Sequence, residues 1–267
     1  MTNRLTRTLS ALTACALLAT ACASDPGTGA APTQAKRNVI LFLGDGMGVS
    51  TVTAARIYAG QQAGEPGEEH ALSFERFPNV ALVKTYNVDA QVADSAGTMS
   101  AIVTGEKTRI GHISVAPEAA HGDCPAALDH ALPTLLEQAE DAGLATGVIS
   151  TARITHATPA ATYAHVPNRD WESDAQLSEA AAQAGCRDIA RQLVEFDRGD
   201  GIEVVLGGGR APFLPDDATD PEFPEVQGIR ADGRNLVEEW RSAHASGRYV
   251  WNRSGFDALS PADAGPV

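Results

Sequence analysis

The chain has 267 residues, 43% of them hydrophobic and 20% charged, which is enough for a large domain with its own core and too apolar for a disordered polymer. Lys and Arg number 20 against 34 Asp and Glu, a net charge of −14; this argues against a nucleic-acid partner, because phosphate-backbone affinity rests on neutralising cations. An anionic small-molecule substrate would need cations supplied locally by its own site.

The N-terminus is basic at Arg4 and Arg7, and Leu9 to Ala21 is small and apolar, so residues 1–23 read as an export signal rather than a membrane span. Ala19-Thr20-Ala21-Cys22 resembles a bacterial lipoprotein box, while Ala21-Cys22-Ala23 fits an ordinary A-x-A cleavage site. Lipidation at Cys22 is the expectation, and with it a periplasmic protein or one anchored at the outer membrane. Residues 24–37, rich in Gly, Pro, Ala and Thr, read as a flexible tether ahead of a domain over 38–267.

After Asn38, the five apolar residues Val39 to Leu43 end in Gly44-Asp45-Gly46-Met47-Gly48, the pattern of a buried parallel strand stopping at a carboxylate. Ligands of open α/β sheets gather at such carboxyl ends, so Asp45 is a candidate metal or phosphate contact; the alternative is a plain Asp-Gly turn. Val49 to Ala59 has helical composition, and Val80 to Tyr86 looks like a second strand. Ser95 then opens a helical stretch that closes at Gly105. A hydroxyl at a helix N-terminus suits phosphoryl chemistry, because the dipole and the terminal N–H groups stabilise anions; the alternative is that Asp94 or Ser95 merely caps the helix. Further on, Leu132 to Gly143 reads as an amphipathic helix, and Ala145 to Thr151 and Ile202 to Leu206 as parallel strands. Leu177 to Phe196 reads as one long helix, Leu236 to Ala243 as another, and Tyr249 to Trp251 as a short strand. Gly207-Gly208-Gly209-Arg210 lacks the Gly-Lys-Ser/Thr of a nucleotide loop.

Taken together, Gly44-Asp45-Gly46-Met47-Gly48 and Asp94-Ser95-Ala96-Gly97-Thr98 resemble the alkaline phosphatases. So do Thr155-His156-Ala157-Thr158-Pro159, Ala164-His165, Asn168-Arg169-Asp170-Trp171, Gly207 to Arg210 and Trp251-Asn252-Arg253. The order and spacing are closest to the branch that includes the animal enzymes. The resemblance implies a three-layer α/β/α sandwich with a mostly parallel central sheet. It implies Ser95 as the nucleophile that becomes a phosphoserine, Arg169 as the phosphate clamp, and magnesium shared by Asp45 and Thr158 with His156 beside it. Asp45 and Ser95 would also touch one of two zinc ions.

A guanidinium offers parallel N–H donors to two phosphate oxygens, which Lys cannot copy; the alternative fate of Arg169 is a solvated pair with Asp170. Magnesium favours oxygen ligands and retained waters, which suits Asp45 and Thr158 and puts His156 outside the direct ligands; alternatively His156 is simply bonded within its loop. The two cysteines past the signal are expected to pair in an exported protein. The resemblance implies that the pair is a Cys124–Cys186 disulfide. Glu222 matches a position that contributes to a calcium site in some relatives, and a solvated acid is the other reading.

The family's remaining zinc ligands would lie beyond Val267, so the expectation is the N-terminal part of the domain, inactive or nearly so by itself, with a homodimer as the full-length state. Small phosphate monoesters are the implied substrates. A phosphodiesterase of the same superfamily is one alternative, and an exported metal- or phosphate-binding domain without catalysis is another. A sulfatase is disfavoured because Asp94-Ser95-Ala96-Gly97 lacks the C/S-x-P-x-R setting.

Overall fold

A computed structural model describes residues 37–260. The expected export signal, Cys22 and nearly all of the tether lie outside the described residues. The chain divides at Leu43/Gly44 into two units. The first, described over 37–43, carries no helix or strand and is exposed, so it is not the buried strand expected there: Val39 and Phe42 are 89% and 87% exposed. The second unit carries all the elements that follow.

Gly46, at φ 65°, turns the chain after Asp45. Helix α1 (Val49–Gln62) follows, and then a segment over 80–86, also expected to be a strand, that carries no helix or strand. It pairs with nothing among the described residues, and Leu82 is 99% exposed. The reason is the same for both runs. A buried parallel strand needs neighbours for its N–H and C=O groups and cover on its faces, and the described residues form one parallel pair of strands.

That pair is β1 (Gly147–Arg153) and β2 (Val204–Gly208), with Gly147 beside Val204 and Ile149 beside Leu206, then a register shift that sets Arg153 beside Gly208. Parallel strands cannot be joined by a hairpin, so residues 154–203 cross over between them. Helices α5 (Ala157–Ala160), α6 (Glu179–Gln183) and α7 (Ile189–Val194) lie in that crossover. The single helix expected over 177–196 is therefore two. Gly185 takes φ 87° to end α6, and Asp188 starts α7 by accepting from the Arg191 N–H at 2.9 Å.

Helix α2 (Ser95–Thr104) begins at an Asp94 cap and ends at Gly105 with φ 78°. Helix α3 (Cys124–Asp129) carries one half of a Cys124–Cys186 disulfide. Helix α4 (Leu135–Asp141) opens with a capping box in which Glu137 N–H donates to Thr134 Oγ1 and Thr134 N–H donates to Glu137 Oε2. Helices α8 (Leu236–Ala243) and α9 (Arg253–Asp257) close the described chain; the strand expected over 249–251 does not form.

One core cluster joins Ala96, Met99 and Val103 on the inner face of α2 to Ile113, Val166, Trp171 and Ile189. Ile113 and Val166, both fully buried, exchange backbone hydrogen bonds of 2.9 and 3.0 Å. Burying each is worth roughly 1.5–3 kcal/mol, and the pair pins the loop before Arg169 against the loop after α2. A second cluster, Leu136, Val148, Ile154, Ala190, Phe213 and Leu236, packs helices against the sheet. These two clusters fix the carboxyl end of β1 relative to the amino end of α2, where the polar residues collect.

Candidate phosphate and metal site

Asp94 sits at the centre. Its Oδ1 accepts from the Gly97 N–H, which makes it the N-cap of α2, and from Asn87 Nδ2, each at 3.0 Å. Its Oδ2 accepts from the Gly111 N–H and from Arg169 Nη1, each again at 3.0 Å. Burial alone pushes the Asp94 carboxyl up, but the donors from Gly97, Asn87, Arg169 and Gly111 outweigh it and hold the group below its ordinary value. Of the two alternatives for the cap, Asp94 is the residue that does it. Ser95 is the first helical residue and partly exposed.

Arg169 is thus paired with Asp94, not with its neighbour Asp170, which is exposed. Its backbone N–H donates to the Gly111 carbonyl at 2.8 Å, so the peptide of Gly111 holds both partners of the ion pair. The other end of the guanidinium, Nη2, lies 3.2 Å from His156 Nε2. A guanidinium has only donors, so Nε2 presents its lone pair and the ring proton is on Nδ1. Nδ1 is buried with no hydrogen-bond partner among the described residues.

His156 is the N-cap residue of α5, just past the end of β1, and Thr158 is in the first turn of that helix. Thr158 Oγ1 donates to Asp45 Oδ2 at 2.7 Å. Two oxygen ligands at neighbouring corners of a magnesium octahedron would be about 3.0 Å apart for bonds of about 2.1 Å, so this pair fits magnesium with the remaining positions left to water. His156 fits a place outside the direct ligands, since Nε2 is taken by Arg169.

Behind this loop, Glu172 accepts from Arg153 Nε and Nη2 at 2.9 and 2.7 Å and from Thr155 Oγ1 at 2.6 Å. Burial pushes its carboxyl up, and the Arg153 fork and the Thr155 hydroxyl more than reverse that. Asn87, Gly111 and Glu172 were not singled out by the sequence reading. Gly111 and Glu172 act through contacts distant in the chain and Asn87 through Asp94, and none carries a local signal.

Zinc does not fit in the same way. It needs three or four N, S or O ligands, and among the described residues no group of three or more His, Cys, Asp and Glu converges to hold a metal. The cation that the structure gives Glu222 is internal: Arg210 Nη2 lies 3.7 Å from its carboxylate, and Arg210 Nη1 also pairs with Asp220.

A helix N-terminus with a serine on its first turn, a doubly engaged arginine and an oxygen pair past the carboxyl end of a parallel strand come together in an α/β fold. Residues 36–264 match the family model of alkaline phosphatase, and the chain belongs to that family. It is 48% identical over 230 residues to an alkaline phosphatase of Gadus morhua, covering 84% of this chain and 48% of the relative. To the tissue-nonspecific isozyme of Homo sapiens it is 44% identical over 235 residues, covering 86% and 44%. The crystal structure of a cold-active alkaline phosphatase from the psychrophile Shewanella sp. superposes with a TM-score of 0.56 at 27% identity, covering 81% of this chain and 42% of that one. The chain spans about half the length of the curated relatives it matches.

Proposed function

We propose that this chain carries the nucleophile and phosphate grip of a phosphate-monoester hydrolase that works through a covalent phosphoserine. The observation that carries the reading is the double engagement of Arg169, with Asp94 on one side and His156 on the other, beside the helix that Ser95 opens. Ser95 Oγ gives up its proton to water and forms the bond to phosphorus as the bond to the ester oxygen breaks and the alcohol leaves; a second water then breaks the Ser95 Oγ–phosphorus bond and releases inorganic phosphate. The N-terminus of α2 favours the anion there. Arg169, held at Asp94, is aimed at the non-bridging oxygens, while His156 keeps the guanidinium from swinging away. A magnesium ion held by Asp45 and Thr158 would offset negative charge and polarise its bound waters. No step is assigned to zinc, because the described residues do not supply its ligands.

The test is metal analysis of the purified chain together with p-nitrophenyl phosphate hydrolysis at alkaline pH and a Ser95→Ala control. Magnesium bound through Asp45 and Thr158, with no stoichiometric zinc and at most trace turnover, is the expected result. Stoichiometric zinc with Ser95-dependent turnover would overturn the incomplete zinc site. Ser95-independent turnover would overturn the role given to the serine.

A further inference from the structure

Asn87 is 2% exposed and belongs to none of the motifs that mark the site. Its Nδ2 donates to Asp94 Oδ1 at 3.0 Å, while its Oδ1 is buried without a hydrogen-bond partner among the described residues. The opposite amide orientation would set its oxygen against the carboxylate, so Asp94 itself fixes which end points where. A buried carbonyl left unpaired is costly, and an apolar side chain of similar size would avoid that cost. The amide is therefore placed for its donor. The fit is tight: a Cβ on Gly97 would come within 2.6 Å of Asn87 Oδ1 and 2.9 Å of the Arg109 carbonyl oxygen. The backbone is tied as well, with Asn87 N–H donating to Ala90 O and Val88 N–H to Thr108 O, each at 3.0 Å.

The two oxygens of Asp94 divide their partners. Oδ1 takes Asn87 and the cap bond from Gly97; Oδ2 takes Gly111 and Arg169. The Gly97 and Gly111 N–H groups place one backbone donor on each oxygen, against a last torsion that is broad for an Asp. Asn87 adds the second donor on Oδ1, which narrows that torsion further and keeps Oδ2 turned to the guanidinium. We propose that Asn87 is a positioning residue for the phosphate grip, locking the rotation of Asp94 so that Arg169 presents its remaining N–H groups to an anion at the start of α2. The inference rests on the reading of Arg169 given under the proposed function.

Inorganic phosphate titrated into the full chain is the probe, with Asn87→Ala, Asn87→Asp and Arg169→Ala compared and thermal melts recorded on each. Asn87→Asp keeps the shape and replaces the donor with a second carboxylate facing Asp94. Expected are loss of binding in Arg169→Ala and at least about tenfold weaker binding in both Asn87 variants that still melt cooperatively. Binding equal to the parent in folded Asn87 variants would overturn the inference. Should Ala and Asp fail to fold, Asn87→Ser, whose hydroxyl is too short to reach Asp94, carries the same expectation.

If the parent and Arg169→Ala do not differ, the reading of Arg169 fails, and crystal structures of the Asn87 variants decide the positioning role alone. Arg169 Nη1 lifted off Asp94 would support it. The pair unchanged would overturn it.

Discussion

Thr158 Oγ1 and Asp45 Oδ2 meet at 2.7 Å, although 113 residues separate them in the chain. The contact is exposed, so water can complete a cation's shell around the two oxygens. Thr158→Val removes one oxygen and keeps the shape. Magnesium titrated calorimetrically into the chain is predicted to bind at least about tenfold more weakly to that variant and to Asp45→Asn. Equal binding in all three proteins would remove the site from these residues.

Asp94 is both a helix cap and the partner of Arg169, and substitutions separate the two roles. Asp94→Asn keeps an N-cap oxygen for Gly97 but removes the charge from Arg169, whereas Asp94→Ala removes both. Losing a cap costs about 1 kcal/mol, so urea melts are predicted to rank the parent first, Asn second and Ala last. Phosphate binding is predicted to change in both variants, since both release the guanidinium.

Glu140, at the end of α4, is 1% exposed and its Oε2 has no partner among the described residues. Burial, reinforced by Glu203 and Asp200, pushes its carboxyl up despite the hydrogen bond from Thr146. A raised carboxyl favours the protonated folded state, so this group lowers stability progressively as pH rises from the ordinary Glu range through its folded value. Glu140→Gln keeps an acceptor for Thr146 without the charge. It is predicted to raise stability at pH 8 and to have little effect near pH 4, measured by urea melts at the two pH values. A variant less stable at pH 8 would show that the charge is satisfied.

How much of this was legible in the sequence depended on how local each signal was. Helix α2 declared its start at Asp94-Ser95 and its stop at Gly105, and α8 matched its expected span because its cap and periodicity lie within one short window. Ser95, His156, Thr158 and Arg169 were singled out as candidates through motifs. That Arg169 faces Asp94 and not Asp170 was not readable, because both carboxylates are plausible partners until the chain folds. The strands expected over 38–43 and 80–86 failed for the opposite reason: apolarity describes what a segment would bury, not whether a neighbour is there to pair with it. Asn87 and Glu172 were invisible, since a lone polar residue carries no period and no motif.

The Cys124–Cys186 disulfide closes a loop with a sequence separation of 62 and ties α3 to the bend between α6 and α7. Loop-closure entropy for that length corresponds to about 4 kcal/mol. Reduction, or Cys124→Ala with Cys186→Ala, is predicted to lower the urea midpoint accordingly. An unchanged midpoint would mean that the bridge does not form in the purified protein.

The measurement that bears most directly on the account is calorimetric titration of inorganic phosphate into the magnesium-loaded chain, run beside Arg169→Ala and Arg169→Lys. Expected are saturable binding by the parent, loss of at least about tenfold in affinity with Ala, and only partial recovery with Lys, whose single ammonium cannot reach Asp94, His156 and phosphate together. Phosphate binding that is indifferent to Arg169 would contradict the claim that this ion pair is the grip.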